Sequence, residues 1–170
     1  MRVTYPEPMA ARLEGVLEDR DSWQARHCSI AKALDVVGTR SAMLILREAI
    51  YGTTRFDDFA NRVGITEAVT AARLKELAAA GIFERRPYKI PGSRTRYEYV
   101  LTEMGRDLVP VIIGLMQWGD TYLQGPRGKP LDVVEDATGS AVAAEVRTED
   151  GRRVELDELR IQVASAHSKP

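Results

Sequence analysis

Between Phe56 and Leu101 the chain reads without interruption as helix, tight turn, helix and basic hairpin, and few folds accommodate that order in so short a span. Phe56, Phe59, Ala60 and Val63 fall at helical spacing, and Gly64-Ile65 breaks the pattern just before Thr66, a residue type that caps helix starts. A second helix runs to Ala80, with Gly81 as its C-terminal cap. Ile82-Phe83-Glu84-Arg85-Arg86 and Arg96-Tyr97-Glu98-Tyr99-Val100-Leu101 then read as strands joined through Pro91-Gly92-Ser93. From Arg85 to Arg96 the chain carries Arg85, Arg86, Lys89, Arg94 and Arg96 and no acid. An idle solvated loop has no need of that imbalance, whereas a loop lying along phosphates does.

Helix, turn, helix and hairpin in this order make a winged helix-turn-helix, whose second helix enters the major groove of DNA. The formal net charge of -1 argues against such a partner only until its distribution is considered. Residues 25–125 hold 14 Lys and Arg against 11 Asp and Glu, while residues 131–160 hold 9 acids against Arg147, Arg152, Arg153 and Arg160. A basic body and an acidic tail therefore cancel. Cys28 is the single cysteine, which excludes an intrachain disulfide, and His27 and His167 lie too far apart to suggest a metal site. No Ser/His/Asp set and no Gly-rich phosphate loop points to an enzyme, so neither catalytic residues nor a cofactor is expected. No run approaches the ~20 apolar residues of a membrane span. The N-terminus, with Pro6, Glu7 and Pro8, lacks the apolar stretch of a signal peptide, so a cytoplasmic location is expected.

Residues 1–25 are expected to form a helical arm, with Met9, Leu13 and Val16 or Leu17 on one face, Pro6 or Pro8 near the first turn and Trp23 packing it down. Residues 26–124 hold the winged domain. Before the motif come a helix over Ser29 to Val37, with Ile30, Leu34 and Val37 on one face, and a central helix over Ser41 to Tyr51, with Met43, Leu44, Leu46 and Ile50. After the hairpin, one helix is expected from Thr102 to Leu123, bent near its start by Gly105 and Pro110. Its face of Leu108, Ile112, Leu115, Met116, Gly119 and Tyr122 needs a partner, and dimerisation supplies one. Residues 125–130 read as a linker. Residues 131–163 read as a small β-meander turning at Ala137-Thr138-Gly139-Ser140 and Glu149-Asp150-Gly151, and 164–170 as a disordered tail.

Several stretches together resemble the HxlR family of bacterial transcription regulators, relatives of the MarR regulators. They are Cys28-Ser29-Ile30-Ala31, Leu34-Asp35-Val36-Val37-Gly38, Leu44-Ile45-Leu46-Arg47, Gly52-Thr53-Thr54-Arg55-Phe56, Arg73-Leu74-Lys75-Glu76-Leu77, Gly81-Ile82-Phe83-Glu84-Arg85 and Tyr97-Glu98-Tyr99-Val100-Leu101-Thr102. Leu108-Val109-Pro110-Val111 and Trp118-Gly119 extend the resemblance, which covers about residues 27–123. It implies a homodimer held by N- and C-terminal helices. The expected fold class is therefore mainly α with small β: a winged helix-turn-helix domain with N- and C-terminal dimerisation helices and a C-terminal β-meander extension. The chain departs from the family pattern at Ser41, where Trp is usual, and at Thr70, where many members have Leu. Some relatives carry cysteines after the position of Pro130; this chain has none there, which excludes zinc.

In the second helix of the motif, Leu74 and Leu77 are expected to face the core, with Thr70 between them and solvent. Thr66, Glu67, Ala68, Ala71, Ala72 and Lys75 then lie near the DNA side, with Arg73 flanking. Alanines permit close approach to the major groove, so hydrogen bonds to bases fall to Thr66, Glu67, Arg73 or Lys75. Arg73 has a structural alternative, an ion pair with Asp57, Asp58 or Glu76, and Glu67 has one as a helix-start residue favoured by the dipole. Arg94 and Arg96 at the hairpin tip are the leading DNA contacts, with Arg55 and Arg40 as secondary phosphate candidates. Cys28 stands beside Arg26 and His27, one turn from Lys32, where a thiolate is favoured. The resemblance implies a sensor of electrophiles or oxidants there; the alternative is a small residue buried in a dimer interface. The expected protein is a dimeric, sequence-specific repressor of double-stranded operator DNA. Its effector is an electrophile, or a small molecule held near the dimer helices by Tyr51, Met116, Trp118 and Tyr122. A winged-helix protein-interaction module docking through the acidic meander is the alternative from another class.

Overall fold

The computed structural model describes residues 10–21, 28–92 and 94–164. In chain order the elements are β1 (Arg12–Leu13), a 3-10 turn (Gly15–Leu17), α1 (Ser29–Val37), α2 (Arg40–Ile50), α3 (Phe56–Val63), α4 (Glu67–Ala79), β2 (Phe83–Tyr88), β3 (Arg96–Leu101), α5 (Glu103–Arg106), α6 (Val109–Tyr122), a second 3-10 turn (Leu156–Glu158) and β4 (Arg160–Ile161). They fall into two units: described residues from 28 to 144 make one, and 10–21 with 145–164 make the other.

Local signals start and stop the helices of the larger unit. Thr39, Thr66 and Thr102 cap α2, α4 and α5, their hydroxyls accepting from the Ala42, Val69 and Gly105 amides at 3.1, 3.3 and 3.2 Å. At the end of α4, the Ile82 amide donates to the Leu77 carbonyl at 2.9 Å and the Gly81 amide to Ala78 at 3.1 Å, a Schellman pair that needs the left-handed Gly81. Leu77 and Ile82 are both in the core, so the helix end and the hairpin start are set by one packing event. Ile45, Leu46, Phe59, Leu74 and Leu77 are each at most 1% exposed. Burial of each such side chain contributes about 1.5–3 kcal/mol. Phe83 meets Phe59 and Tyr99 edge-on, with centroids 6.0 and 6.4 Å away, and joins the hairpin to the helices.

Thr70 and the helix after the hairpin depart from expectation. Thr70, expected between core and solvent, is fully buried. Its hydroxyl donates to the Thr66 carbonyl at 3.0 Å, which satisfies it within its own helix and lets it take a core position. The single bent helix from Thr102 is instead two, α5 and α6, interrupted at Asp107 and Leu108. Gly105 in α5 lies against the hairpin base so closely that a Cβ would stand 2.4 Å from the Ile82 carbonyl oxygen. α6 starts afresh with Pro110 in its first turn, where the missing N–H costs nothing.

β2 and β3 pair antiparallel from Phe83 with Leu101 to Tyr88 with Arg96. β2 continues through Pro87, beyond the strand read from the sequence, because an outer edge tolerates a residue without an N–H. The other edge of β3 is taken up by residues 54 and 55: Tyr99 N–H donates to the Thr54 carbonyl at 2.8 Å, and Arg55 bridges Glu98.

In the smaller unit β1 and β4 pair in parallel, Arg12 with Arg160 and Leu13 with Ile161. Over residues 10–21 this contradicts the expected helical arm. The Arg12 and Glu14 amides donate to Leu159 and Ile161 carbonyls at 2.8 and 3.0 Å, partners at the far end of the chain that helical periodicity cannot register. Pro6, Pro8, Met9, Trp23, Arg26, His27, Ser93 and the tail from Ser165 lie outside the described residues. The expected meander is two short turns, one in each unit, closed by the antiparallel bridges Val134 with Ala141 and Arg147 with Arg153. In the larger unit Glu135 N–H donates to the Ser140 carbonyl at 2.8 Å, and in the smaller Thr148 N–H donates to the Arg152 carbonyl at 2.9 Å. Arg147, Arg152, Arg153 and Arg160 are all engaged by acids of their own unit, Glu145, Glu158, Glu155 and Glu14 among them.

Candidate nucleic-acid interface

Recognition helix α4 buries one narrow stripe, Thr70, Leu74 and Leu77, at i, i+4 and i+7. Everything a groove would meet lies on the opposite side. Thr66, Glu67, Ala68, Val69, Ala71, Ala72 and Lys75 are exposed. Val69 is the member of this face that sequence reasoning missed, because a β-branched apolar residue reads as core. Arg73 sits at the edge of the stripe: it pairs with Glu76 one turn on, and its Nε is buried without a hydrogen-bond partner among the described residues. The structural alternative for Arg73 is thus the arrangement present, with Glu76 rather than Asp57 or Asp58.

Three of the hairpin's cations are engaged. The Arg85 guanidinium stacks on the Tyr97 ring 3.6 Å from its centroid, Arg86 pairs with Glu84 at 2.7 Å, and Arg96 reaches Asp57 in the first turn of α3 at 3.3 Å. The Arg86 hydrogen bond and charge hold the Glu84 carboxyl below its ordinary range. The stretch between Arg85 and Arg96 lacks acids in sequence, yet the fold supplies Glu84 and Asp57 from its flanks. Arg94 is exposed and makes no hydrogen bond or ion pair among the described residues. Arg55, the N-cap residue of α3, holds its guanidinium 5.1 Å from the centre of the Tyr88 ring and so joins the wing. Arg40 is exposed at the start of α2 and makes no ring contact, hydrogen bond or ion pair through its side chain among the described residues. Between α3 and the wing lies an open cleft of ≈ 270 Å³, walled by Phe56, Tyr88, Tyr97 and Tyr99 and rimmed by Asp57, Arg85 and Arg96.

An exposed helix of small residues beside a cationic, edge-anchored hairpin is the arrangement that places side chains in a groove and guanidinium groups along its walls. Residues 36–126 match the model of the HxlR-like helix-turn-helix family. The chain belongs to the HxlR family. It is similar to the HTH-type transcriptional regulator Mb3122 of Mycobacterium bovis, with 44% identity over 111 residues, 65% of this chain and 69% of that one. Among solved structures it is similar to the candidate transcription factor PA1607, with TM-score 0.72 and 35% identity over 81% of this chain and 95% of that one. It is also similar to the redox regulator HypR in its oxidised form, with TM-score 0.52 and 31% identity over 58% of this chain and all of that one.

The HxlR match takes in α2 to α6 entirely, so family membership rests on the helices and wing just described. On α6, Val111, Leu115, Trp118 and Tyr122 are 51–69% exposed at i, i+4, i+7 and i+11, and on α1 Ile30 and Leu34 are 71% and 57% exposed. The expected α6 face is therefore corrected: Ile112 turns inward and Val111 and Trp118 outward. Tyr51 donates a hydrogen bond to the Met116 sulfur at 3.9 Å, and Trp118 meets Tyr122 at a tilt of 49° with centroids 5.7 Å apart. None of these four lines the ≈ 360 Å³ cleft of Ala49, Ile50, Tyr99, Leu101 and Val109. Cys28 is half-buried at the N-cap of α1, with no side-chain capping bond. Among the described residues no cluster of three His, Cys, Asp or Glu is placed to hold a metal, and no helix is long and apolar enough to cross a membrane.

Proposed function

We propose that this protein is a homodimeric transcriptional repressor that binds double-stranded operator DNA in the cytoplasm. The observation that carries the reading is the open face of α4, Thr66 to Lys75, lying beside a wing that presents Arg55, Arg94 and Arg96. Thr66, Glu67 and Lys75 are the base-edge candidates, Ala68 and Ala71 allow close approach to thymine methyls, and Arg94 and Arg96 neutralise phosphates. Arg73 supports the helix through Glu76, and Arg40 adds a peripheral cation. The exposed stripe of α6, with Ile30 and Leu34 of α1, is the face covered by the second copy. A two-fold dimer sets its two recognition helices about one DNA turn, ~34 Å, apart.

Cys28 is the proposed effector site. Addition of its thiolate to an electrophilic carbon forms a thioether, and an oxidant that accepts two electrons from two thiols joins it to a thiol of the partner or a small thiol. The similarity to HypR, a redox regulator, supports this reading. Genomic footprinting of the tagged protein, followed by anisotropy titration on the recovered site and light scattering, tests it. A protected pseudopalindrome bound by a dimer, and released on electrophile treatment in the parent but not in Cys28→Ser, is expected. A monomer with no more affinity for that site than for random DNA would overturn it.

A further inference from the structure

Glu48 is the one buried charged residue among those described, and nothing in direct contact with DNA requires it there. It lies near the C-terminal end of α2, the helix that also buries Ala42, Ile45 and Leu46. A carboxylate taken out of water is costly unless its oxygens are occupied, and both are. Arg47 donates to Oε1 through Nη2 at 2.6 Å and Nε at 3.2 Å, and Thr53 Oγ1 donates to Oε2 at 3.5 Å, the long end of a hydrogen bond. The Thr53 amide returns to the Glu48 carbonyl at 3.0 Å, so main chain and side chain bind the same pair of residues.

Thr53 passes the connection on in two directions. Its hydroxyl oxygen accepts from Arg62 Nη1 at 3.2 Å, which ties it to the last turn of α3. The next two residues form the seam with the wing: the Thr54 carbonyl accepts from Tyr99 N–H at 2.8 Å, the Thr54 hydroxyl donates to Glu98 Oε2 at 3.4 Å, and Arg55 bridges Glu98. Residues 53–55 are thus held on one side by α2 and α3 and on the other by β3. A hydrophobic residue at position 48 would fill the same space but take from the Thr53 hydroxyl its carboxylate acceptor, leaving it only the Arg62 contact.

We propose that Glu48 is a positioning residue for DNA binding, which through Thr53 sets where the wing stands relative to the recognition helix. This rests on the DNA-binding reading above. A seam that slips moves Arg94 and Arg96 off the phosphates while leaving α4 and its core stripe in place. Specific and nonspecific binding then weaken together, and the salt dependence becomes shallower.

The test uses the full-length protein, Thr53→Val, which keeps the shape and deletes the hydroxyl, and Thr53→Ser, which restores it, with Glu48→Gln alongside. DNA affinity across a salt series is measured well below each variant's melting temperature, together with amide exchange at Tyr99, whose N–H bonds Thr54, and at Glu98 and Val100, whose N–H groups alternate toward β2. Thr53→Val is expected to lose about tenfold in affinity and about one unit of salt slope, with faster exchange at Tyr99 and little change at Val100. Thr53→Ser should bind within about twofold of the parent, and Glu48→Gln should fall between the two. Parent-like affinity and slope in Thr53→Val with faster Tyr99 exchange would overturn the proposal and leave the DNA-binding reading standing. Parent-like Tyr99 exchange in Thr53→Val would overturn it equally. A parent that binds no DNA at any salt concentration would remove both readings.

Discussion

Recognition helix α4 and the wing lie side by side in one unit, yet they are built on opposite principles. The exposed face of α4 is dominated by Ala68, Ala71 and Ala72 with Val69, and it has few groups able to hydrogen-bond a base. The wing carries Arg85, Lys89, Arg94 and Arg96 on a two-stranded ribbon with little core of its own beyond Phe83, Tyr99 and Leu101. The helix therefore offers shape and the wing offers charge. Under the proposed function, such a division is expected to draw much of the affinity from the ribbon and much of the register from how close the small-residue face can come to the groove floor.

Changes that fill or charge the helix face sharpen that division most. Ala71→Glu sets a carboxylate against the groove wall, and like charges in contact cost several kcal/mol, so specific affinity should fall more than about 100-fold with the melting temperature unchanged. A loss below about tenfold, read by anisotropy, would mean that α4 does not sit in the groove. Leu74→Ala attacks the same helix from its buried side: Leu74 is 0% exposed, and its truncation should cost about 2–5 kcal/mol in a urea titration. Arg94→Ala should leave stability within about 0.5 kcal/mol of the parent. It should also lower the slope of log affinity against log salt by about one unit on cognate and random DNA alike. An effect on cognate DNA alone would make Arg94 a base reader and erase the contrast. Asp57→Asn is the mildest: it frees Arg96 from an exposed pair worth at most about 1 kcal/mol, so affinity should rise by no more than about fivefold at low salt and not at all at high salt.

Much of this architecture was legible because its signals are local. Gly64, Thr66 and Gly81 mark the ends of α3 and α4 by residue type alone, since caps and left-handed turns are decided within five residues. The site was legible as a list of cations but not as an arrangement. Asp57 is distant in sequence from Arg96, and Glu84 lies just outside the acid-free stretch, so the partners of the wing arginines came from the fold. Glu48 reads as an ordinary helix-surface acid, because burial depends on what α3 and the 53–55 segment bring over it. The helical arm failed for the same reason: a parallel pairing of residue 12 with residue 160 leaves no trace in local periodicity.

By itself the sequence determined the order of elements from α2 to the wing, the ends of α3 and α4 and the charge of the hairpin, since helix caps, turn glycines and apolar spacing act over a few neighbouring residues. Tertiary structure alone decided which exposed apolar stripe is left on α6, that Thr70 is core, that Arg73 is tied to Glu76, and that Arg96 meets Asp57. Each of these is a contest between partners, and its outcome depends on which competing groups the rest of the chain delivers to the same place.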